Sequence, residues 1–234
     1  MAHNSKRIFP DAKVVYNDYD NYSLRLRNID NTNRLLFSIR EVIGIVKNGI
    51  RIEGSLRNKI IDLIERQDKS GYVDYITISS SLMFSSKYVL DLDSLKKEHF
   101  YNNVKSCDYE CDPDEYLRGL DVVRVDYKVL YEQYKDVPGV VFTVDPPYLS
   151  TDTSTYHSDK YWKLRDYLDV LHVLVGTNYI FFTSDKSCLI ELCEWFADNP
   201  NIGNPFAQSV LNTHRVTLNK TSGYNDMMLC KFID

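Results

Sequence analysis

Apolar residues fall along this chain in two rhythms. Leu35, Leu36, Ile39, Val42, Ile43 and Val46 recur at three- and four-residue spacing and predict a helix, and Ile60, Ile61, Leu63 and Ile64 predict a second. Gly49 and Gly54 between them predict a turn. Residues 72–84 fit both periods and are read as helix, and the polar stretch from Asp91 to Glu115 as short helices. Elsewhere the apolar residues gather in short β-branched runs. Residues 13–18, 121–126, 140–144 and 179–184 read as strands. Helices are predicted between and around them, over 21–27, 127–134, 161–175 and 187–197. Two closing strands, 209–218 and 226–232, are joined through Thr221-Ser222-Gly223. Strands alternating with helices predict an α/β class. Residues 30–118 break that alternation and form a helical insertion in a single core, with no internal repeat and no linker.

Three of the strands run straight into a carboxylate. The first closes on Asn17-Asp18 and another on Asp126. Each precedes a helix, so each is also suited to N-cap duty. The third is the sharpest stretch of the chain, Val140-Val141-Phe142-Thr143-Val144-Asp145-Pro146-Pro147-Tyr148. The prolines stop the strand because neither has an N–H to donate. Asp145 and Pro146 each precede a proline and are pushed towards extended geometry. The outcome is a stiff mouth at the carboxyl end of a strand, where open α/β sheets bind ligands.

Asp145-Pro146-Pro147-Tyr148 after an apolar strand resembles the signature of the methyltransferases that modify adenine N6 in DNA, and the flanking segments, among them the strand ending in Asn17-Asp18, narrow the resemblance to the Dam-type enzymes, particularly phage and prophage ones. The resemblance implies a Rossmann-like, S-adenosylmethionine-dependent methyltransferase fold. Its catalytic core would be residues 1–29 and 119–234, and the helical insertion, 30–118, its target-recognition region. It implies a double-stranded DNA substrate whose adenine is flipped out of the stack. The Asp145 carboxylate and the Pro146 carbonyl would accept the N–H bonds of the adenine amine. Pro147 would lock the backbone that aims them, and Tyr148 would stack on the base. Asp18 would receive the cofactor's ribose hydroxyls and Asp126 its adenine amine. The family also carries Phe-x-Gly-x-Gly at the end of its first strand. Met1 to Pro10 contain no glycine, and His3 to Phe9 resemble the helix after that loop. The chain therefore reads as starting inside the family pattern, with the first strand missing.

Beyond the motif, Leu149 to His157 form a polar loop expected to close over the base. Tyr156, Lys160, Trp162, Lys163 and Arg165 mix cations with aromatic rings, which suits DNA phosphates and bases. In the insertion, Arg51, Arg57, Lys59, Lys87, Tyr88, Tyr101, Asn102 and Asn103 are available to contact DNA, though each alone reads as solvated surface. His157 and His172 have no partner at motif spacing.

Composition adjusts this picture modestly. The chain has 234 residues and a net charge of −5, unlike a general DNA coater. Residues 1–66 hold 12 Lys and Arg against 8 Asp and Glu, so the excess of negative charge lies downstream. Five cysteines, an odd number, point to a reducing compartment, and their spacing shows no zinc pattern. No run approaches a membrane span and no signal peptide is seen, so a cytoplasmic location is expected. The resemblance suggests a restriction-modification or prophage setting. Two alternatives stand beside the DNA enzyme. A protein-glutamine methyltransferase would usually carry Asn in place of Asp145. A truncated, non-catalytic remnant would bind DNA or a partner without transferring methyl.

Overall fold

The computed structural model describes residues 1–84, 87–147, 163–198, 204–217 and 223–233. They divide into two compact units, residues 1–125 and the described residues from 126 onward.

The first unit opens with α1 (Ala2–Ile8), β1 (Val14–Asn17), α2 (Tyr22–Arg27) and α3 (Ile29–Ile43). Then come β2 (Arg51–Ile52), α4 (Gly54–Ser70), α5 (Tyr75–Leu82), α6 (Leu92–Leu95), β3 (Phe100–Tyr101), α7 (Pro113–Tyr116) and β4 (Leu120–Val123). The α3 stripe predicted from spacing buries Leu35, Leu36, Ile39 and Ile43, and α4 sets Ile60, Ile61 and Ile64 against it. Ile78, Leu82, Val89, Leu95 and Phe100 complete this core, so the segment predicted as an insertion has a hydrophobic centre of its own. Helix α3 ends at Gly44, whose φ of 55° lies where side chains are strained and whose N–H returns to the Arg40 carbonyl. The cap of α5 is Asp74, which accepts from the Thr77 N–H and pairs with Arg25 at 3.1 Å.

Between Gly49 and Gly54 the structure holds more than a turn. Arg51–Ile52 pairs antiparallel with Phe100–Tyr101. Strands β1 and β4 pair in parallel, with Val14 opposite Leu120 and Asn17 opposite Val123. Strand β4 stops at Val123, short of the predicted Asp126. The Asn17 side chain explains this, because its amide both donates to the Val125 carbonyl (2.9 Å) and accepts the Val125 N–H (3.1 Å). A side-chain amide thus replaces the next rung of the ladder.

The second unit contains α8 (Tyr127–Tyr134), β5 (Val141–Val144), α9 (Leu164–Leu174), β6 (Asn178–Ser184), α10 (Leu189–Ala197), β7 (Val210–Thr217) and β8 (Gly223–Lys231). Its sheet runs β5-β6-β8-β7. β5 and β6 are parallel, while β8 is antiparallel to both β6 and β7. Tyr179 and Phe181 of β6 and Leu229 of β8 face Tyr167, Leu171 and Leu174 of α9 and Leu189 and Cys193 of α10. The Cys193 thiol is pushed up to about 12 by burial, which keeps it protonated and apolar. Strand β8 begins at Gly223, three residues before the predicted Asp226, because Gly223, Tyr224 and Asn225 pair with Thr217, Val216 and Arg215.

Among the described residues, then, the strand leading to Asp18 and the strand leading to Asp145 belong to different sheets, and each is an edge strand there. No described helix is long and apolar enough to cross a membrane.

Candidate active site

Strand β5 stops where the prolines dictate, at Val144, and Asp145, Pro146 and Pro147 follow in irregular backbone. Pro146 is buried and Pro147 half-buried, whereas Asp145 keeps an exposed face. Protein packed around Asp145 nonetheless holds its carboxyl above the ordinary carboxylate value, and the negative charge of Asp226 adds to the rise. An aspartate that is partly desolvated yet still reachable is a better hydrogen-bond acceptor than one free in water.

The parallel neighbour contributes a second element at the same end of the sheet. Val144 lies opposite Phe181, and β6 continues past that level to Ser184, beyond Asp145. There Thr183 and Ser184 are buried, and the chain turns through Ser184–Ser187 with the Ser187 N–H donating to the Ser184 carbonyl. The Lys186 N–H donates to the Ser184 hydroxyl at 3.2 Å. The Asn225 amide from β8 donates to the Asp185 carboxylate at 2.8 Å and pins the turn. The sequence places a strand end at Ser184 and a helix start at Ser187 without pointing to the turn between them as part of the site. Its signal was an apolar strand breaking into Thr-Ser-Asp-Lys, the same change of character that precedes Asp145.

Asp18 and the stretch leading to Asp126 lie at the carboxyl ends of the other parallel pair. The Asp18 N–H donates to the Val123 carbonyl, which sets the ends of β1 and β4 side by side. The Asp18 side chain is 3 % exposed and accepts from the Tyr22 N–H (2.6 Å), the Ser23 N–H (2.8 Å) and the Tyr16 hydroxyl (3.0 Å). Burial opposes its charge. The hydrogen bonds from Ser23, Tyr22 and Tyr16 outweigh that cost and hold the carboxyl below its ordinary value. Asp126 is more open: it caps α8 with one oxygen, accepting the Lys128 N–H at 2.8 Å.

Because the Asp18 carboxyl is depressed in the folded state, its contribution to stability is present above the unfolded carboxylate value and is lost as pH falls through the folded one. Asp18→Asn would turn an NH₂ towards one of the amide donors it now satisfies. It is expected to cost about 1–3 kcal/mol and to flatten the acid limb of the stability profile. Urea melts at pH 7 and pH 4 measure both effects, and a variant as stable as the parent at pH 7 would refute the capping role.

The remaining predicted residues separate into groups. Tyr148, Tyr156, Lys160 and Trp162 lie outside the described residues. Lys163 and Arg165 are exposed at the start of α9, where the Lys163 N–H donates to the Asp166 carboxylate. In the insertion, several polar candidates are committed to the fold. Asn102 and Asn103 donate to the Val46 and Met83 carbonyls, Arg57 spans the Phe100 ring, and Lys87 pairs with Glu98. Lys59 is exposed on α4, and Arg51 pairs with Glu53. Among the described residues, no cluster of His, Cys, Asp and Glu could hold a metal ion.

No protein-family model matches the chain. A Haemophilus influenzae (strain ATCC 51907 / DSM 11121 / KW20 / Rd) protein described as "Putative methyltransferase" is 32% identical over 237 aligned residues, covering 99% of this chain and 78% of that protein. An alignment at that identity, running from β1 through the insertion and β5 to the closing hairpin, shows that the chain belongs to the methyltransferases.

Proposed function

We propose that this methyltransferase acts on DNA, transferring a methyl group to the exocyclic N6 of an adenine flipped out of the duplex. The observation that carries the reading is Asp145-Pro146-Pro147 at the carboxyl end of β5, with the Asp145 carboxyl raised and reachable. The same geometry supports a Rossmann-like assignment, because ligands of such sheets bind at the carboxyl ends of parallel strands.

The adenine amine is a poor nucleophile because its lone pair is delocalised into the ring. Two acceptors directed at its N–H bonds draw the nitrogen towards tetrahedral geometry and release that pair. Asp145 supplies one through its carboxylate and Pro146 the other through its carbonyl, both fixed by a backbone that the prolines make stiff. Tyr148 follows directly and stacks on the base, an interaction worth about 1–3 kcal/mol. Methyl transfer would break the donor's S–CH₃ bond, leaving a neutral thioether, and would place positive charge on N6 until a proton passes from N6 to water. The ionised Asp145 stabilises that charge.

The methyl donor under this reading is S-adenosylmethionine, which when bound supplies an electrophilic methyl on a sulfonium. Asp126 has acceptor capacity left for its adenine amine, since only one backbone N–H occupies its carboxylate. Asp18 has its donors in place already. It serves the cofactor mainly by fixing the α2 turn, and would reach ribose hydroxyls only by giving up part of its cap.

The direct test is incubation of the purified chain with duplex DNA and methyl-tritiated S-adenosylmethionine, followed by nucleoside chromatography. Label in N6-methyladenine is expected. Label in N4-methylcytosine or in protein, with none in adenine, would overturn the substrate assignment.

A further inference from the structure

We infer that Lys186 and Arg215 hold backbone phosphates of the substrate DNA beside the base at Asp145, making the end of the β7–β8 hairpin a nucleic-acid contact. This rests on the DNA reading above and extends it to an element outside the motif and outside the helical insertion.

The topology brings these cations to the end of the sheet that carries Asp145. β6 is parallel to β5, and β8 runs back along β6, so the start of β8 and the end of β7 lie at the same end of the sheet as Asp145, with β7 on the edge opposite β5. Lys186 sits on the turn after β6, with its ammonium 4.2 Å from the centre of the Tyr224 ring. That contact steadies a long side chain without neutralising its charge. Arg215 lies across the first residue of β8. A Cβ placed on Gly223 would meet the Arg215 Nε and Nη2 at 3.2 Å and the Val216 carbonyl at 2.5 Å. Gly223 therefore leaves the space in which the guanidinium rests.

Register separates the two cations. Arg215 stands opposite Asn225 and Tyr224 opposite Val216, so the guanidinium and the Lys186–Tyr224 pair occupy opposite faces of the hairpin end. Both cations are exposed, and among the described residues neither makes an ion pair with a carboxylate. Of the neighbouring carboxylates, Asp185 is engaged and Asp226 is half-buried. Asp185 accepts from Asn225, and Asp226 lies opposite Ser184. Elsewhere in this unit Lys128 pairs with Asp169 and Lys135 with Glu132, and the Lys231 ammonium donates to the Ala207 carbonyl. Two exposed cations with no carboxylate partner among the described residues, at the end of the sheet that carries Asp145, suit a polyanion whose reacting base must be presented there.

Removing one cation that neutralises a phosphate should lower the salt slope of binding by about one and weaken binding about eightfold at 0.1 M salt. The experiment is fluorescence anisotropy of a labelled duplex over a salt series. It compares the parent chain, Lys186→Gln, Arg215→Gln, the double variant and Lys231→Gln at the opposite end of β8. Lys186→Gln and Arg215→Gln should each shift slope and affinity by those amounts, the double variant by about twice the slope, and Lys231→Gln by neither. Thermal melts should stay within a degree or so for Lys186→Gln, whose side chain is exposed and which carries the test even if Arg215→Gln unfolds. A duplex bound by Lys186→Gln with the parent's slope and affinity would overturn this inference and leave the DNA reading standing. A parent chain that binds no duplex at 0.05 M salt would overturn both.

Discussion

Asp145→Ala is expected to cut methyl transfer by about 10²–10³-fold while leaving thermal stability essentially unchanged. The magnitude is that of removing one preorganised group aimed at charge developing in the transition state. The unchanged stability follows from the direction of the Asp145 shift. Its carboxyl is raised in the folded state, so the folded chain holds the proton more tightly than the unfolded chain does. This carboxyl therefore favours folding most at low pH, and that benefit declines as pH rises from the unfolded carboxylate value through the folded one. At pH 7 the ionised group slightly opposes folding, and Asp145→Asn should be at least as stable as the parent. The same rise predicts that activity falls on the acid side at a pH higher than an ordinary aspartate would give, since the ionised form is the acceptor. Initial rates from pH 4 to 8, with melts of both variants, check all three expectations. Turnover of Asp145→Ala within tenfold of the parent would remove the proposed role.

Much of this arrangement was legible in the residues because local rules agreed. The run Val141–Val144 is β-branched or aromatic and is followed by two residues that cannot continue a ladder, so strand, stop and mouth were all readable. The α3 and α4 stripes were readable for the same reason. What was not legible depended on partners distant in sequence. Arg51–Ile52 becomes a strand only because Phe100–Tyr101 lies beside it, and nothing in either pair announces the other. Gly223-Tyr224-Asn225 looks like turn chemistry, yet β7 draws all three into its ladder. Val125 continues a strand pattern but loses its rung to the Asn17 amide. That Lys186 and Arg215 lie at the same end of the sheet as Asp145 was hidden for a topological reason. Which strand ends lie together is set by pairing order, and spacing along the chain does not encode it.

The largest effect on folding is expected from Phe181→Ala. Phe181 is fully buried, lies opposite Val144 on one side and Leu229 on the other, and stands 5.0 Å from the Phe206 ring. Around it pack Tyr167 and Leu171 of α9 and Leu189 of α10, so truncation leaves a cavity lined from both helices and the sheet. A Phe→Ala change at such a site costs about 3–5 kcal/mol, against total stabilities of about 5–15 kcal/mol for domains. Its neighbour Phe182 projects to the other face and is only half-buried, so Phe182→Ala should cost distinctly less. Trp195 on α10 belongs to the same unit and reports its unfolding by fluorescence in a urea titration. With m-values of about 1–3 kcal/mol/M, the Phe181 variant should lose at least about 1 M in midpoint. Equal midpoints for the two variants would show that the β6 face is assigned wrongly. The comparison also separates folding from chemistry. Phe181 supports Val144, the residue before Asp145, so its loss should lower activity together with the midpoint, whereas Asp145→Ala should lower activity alone.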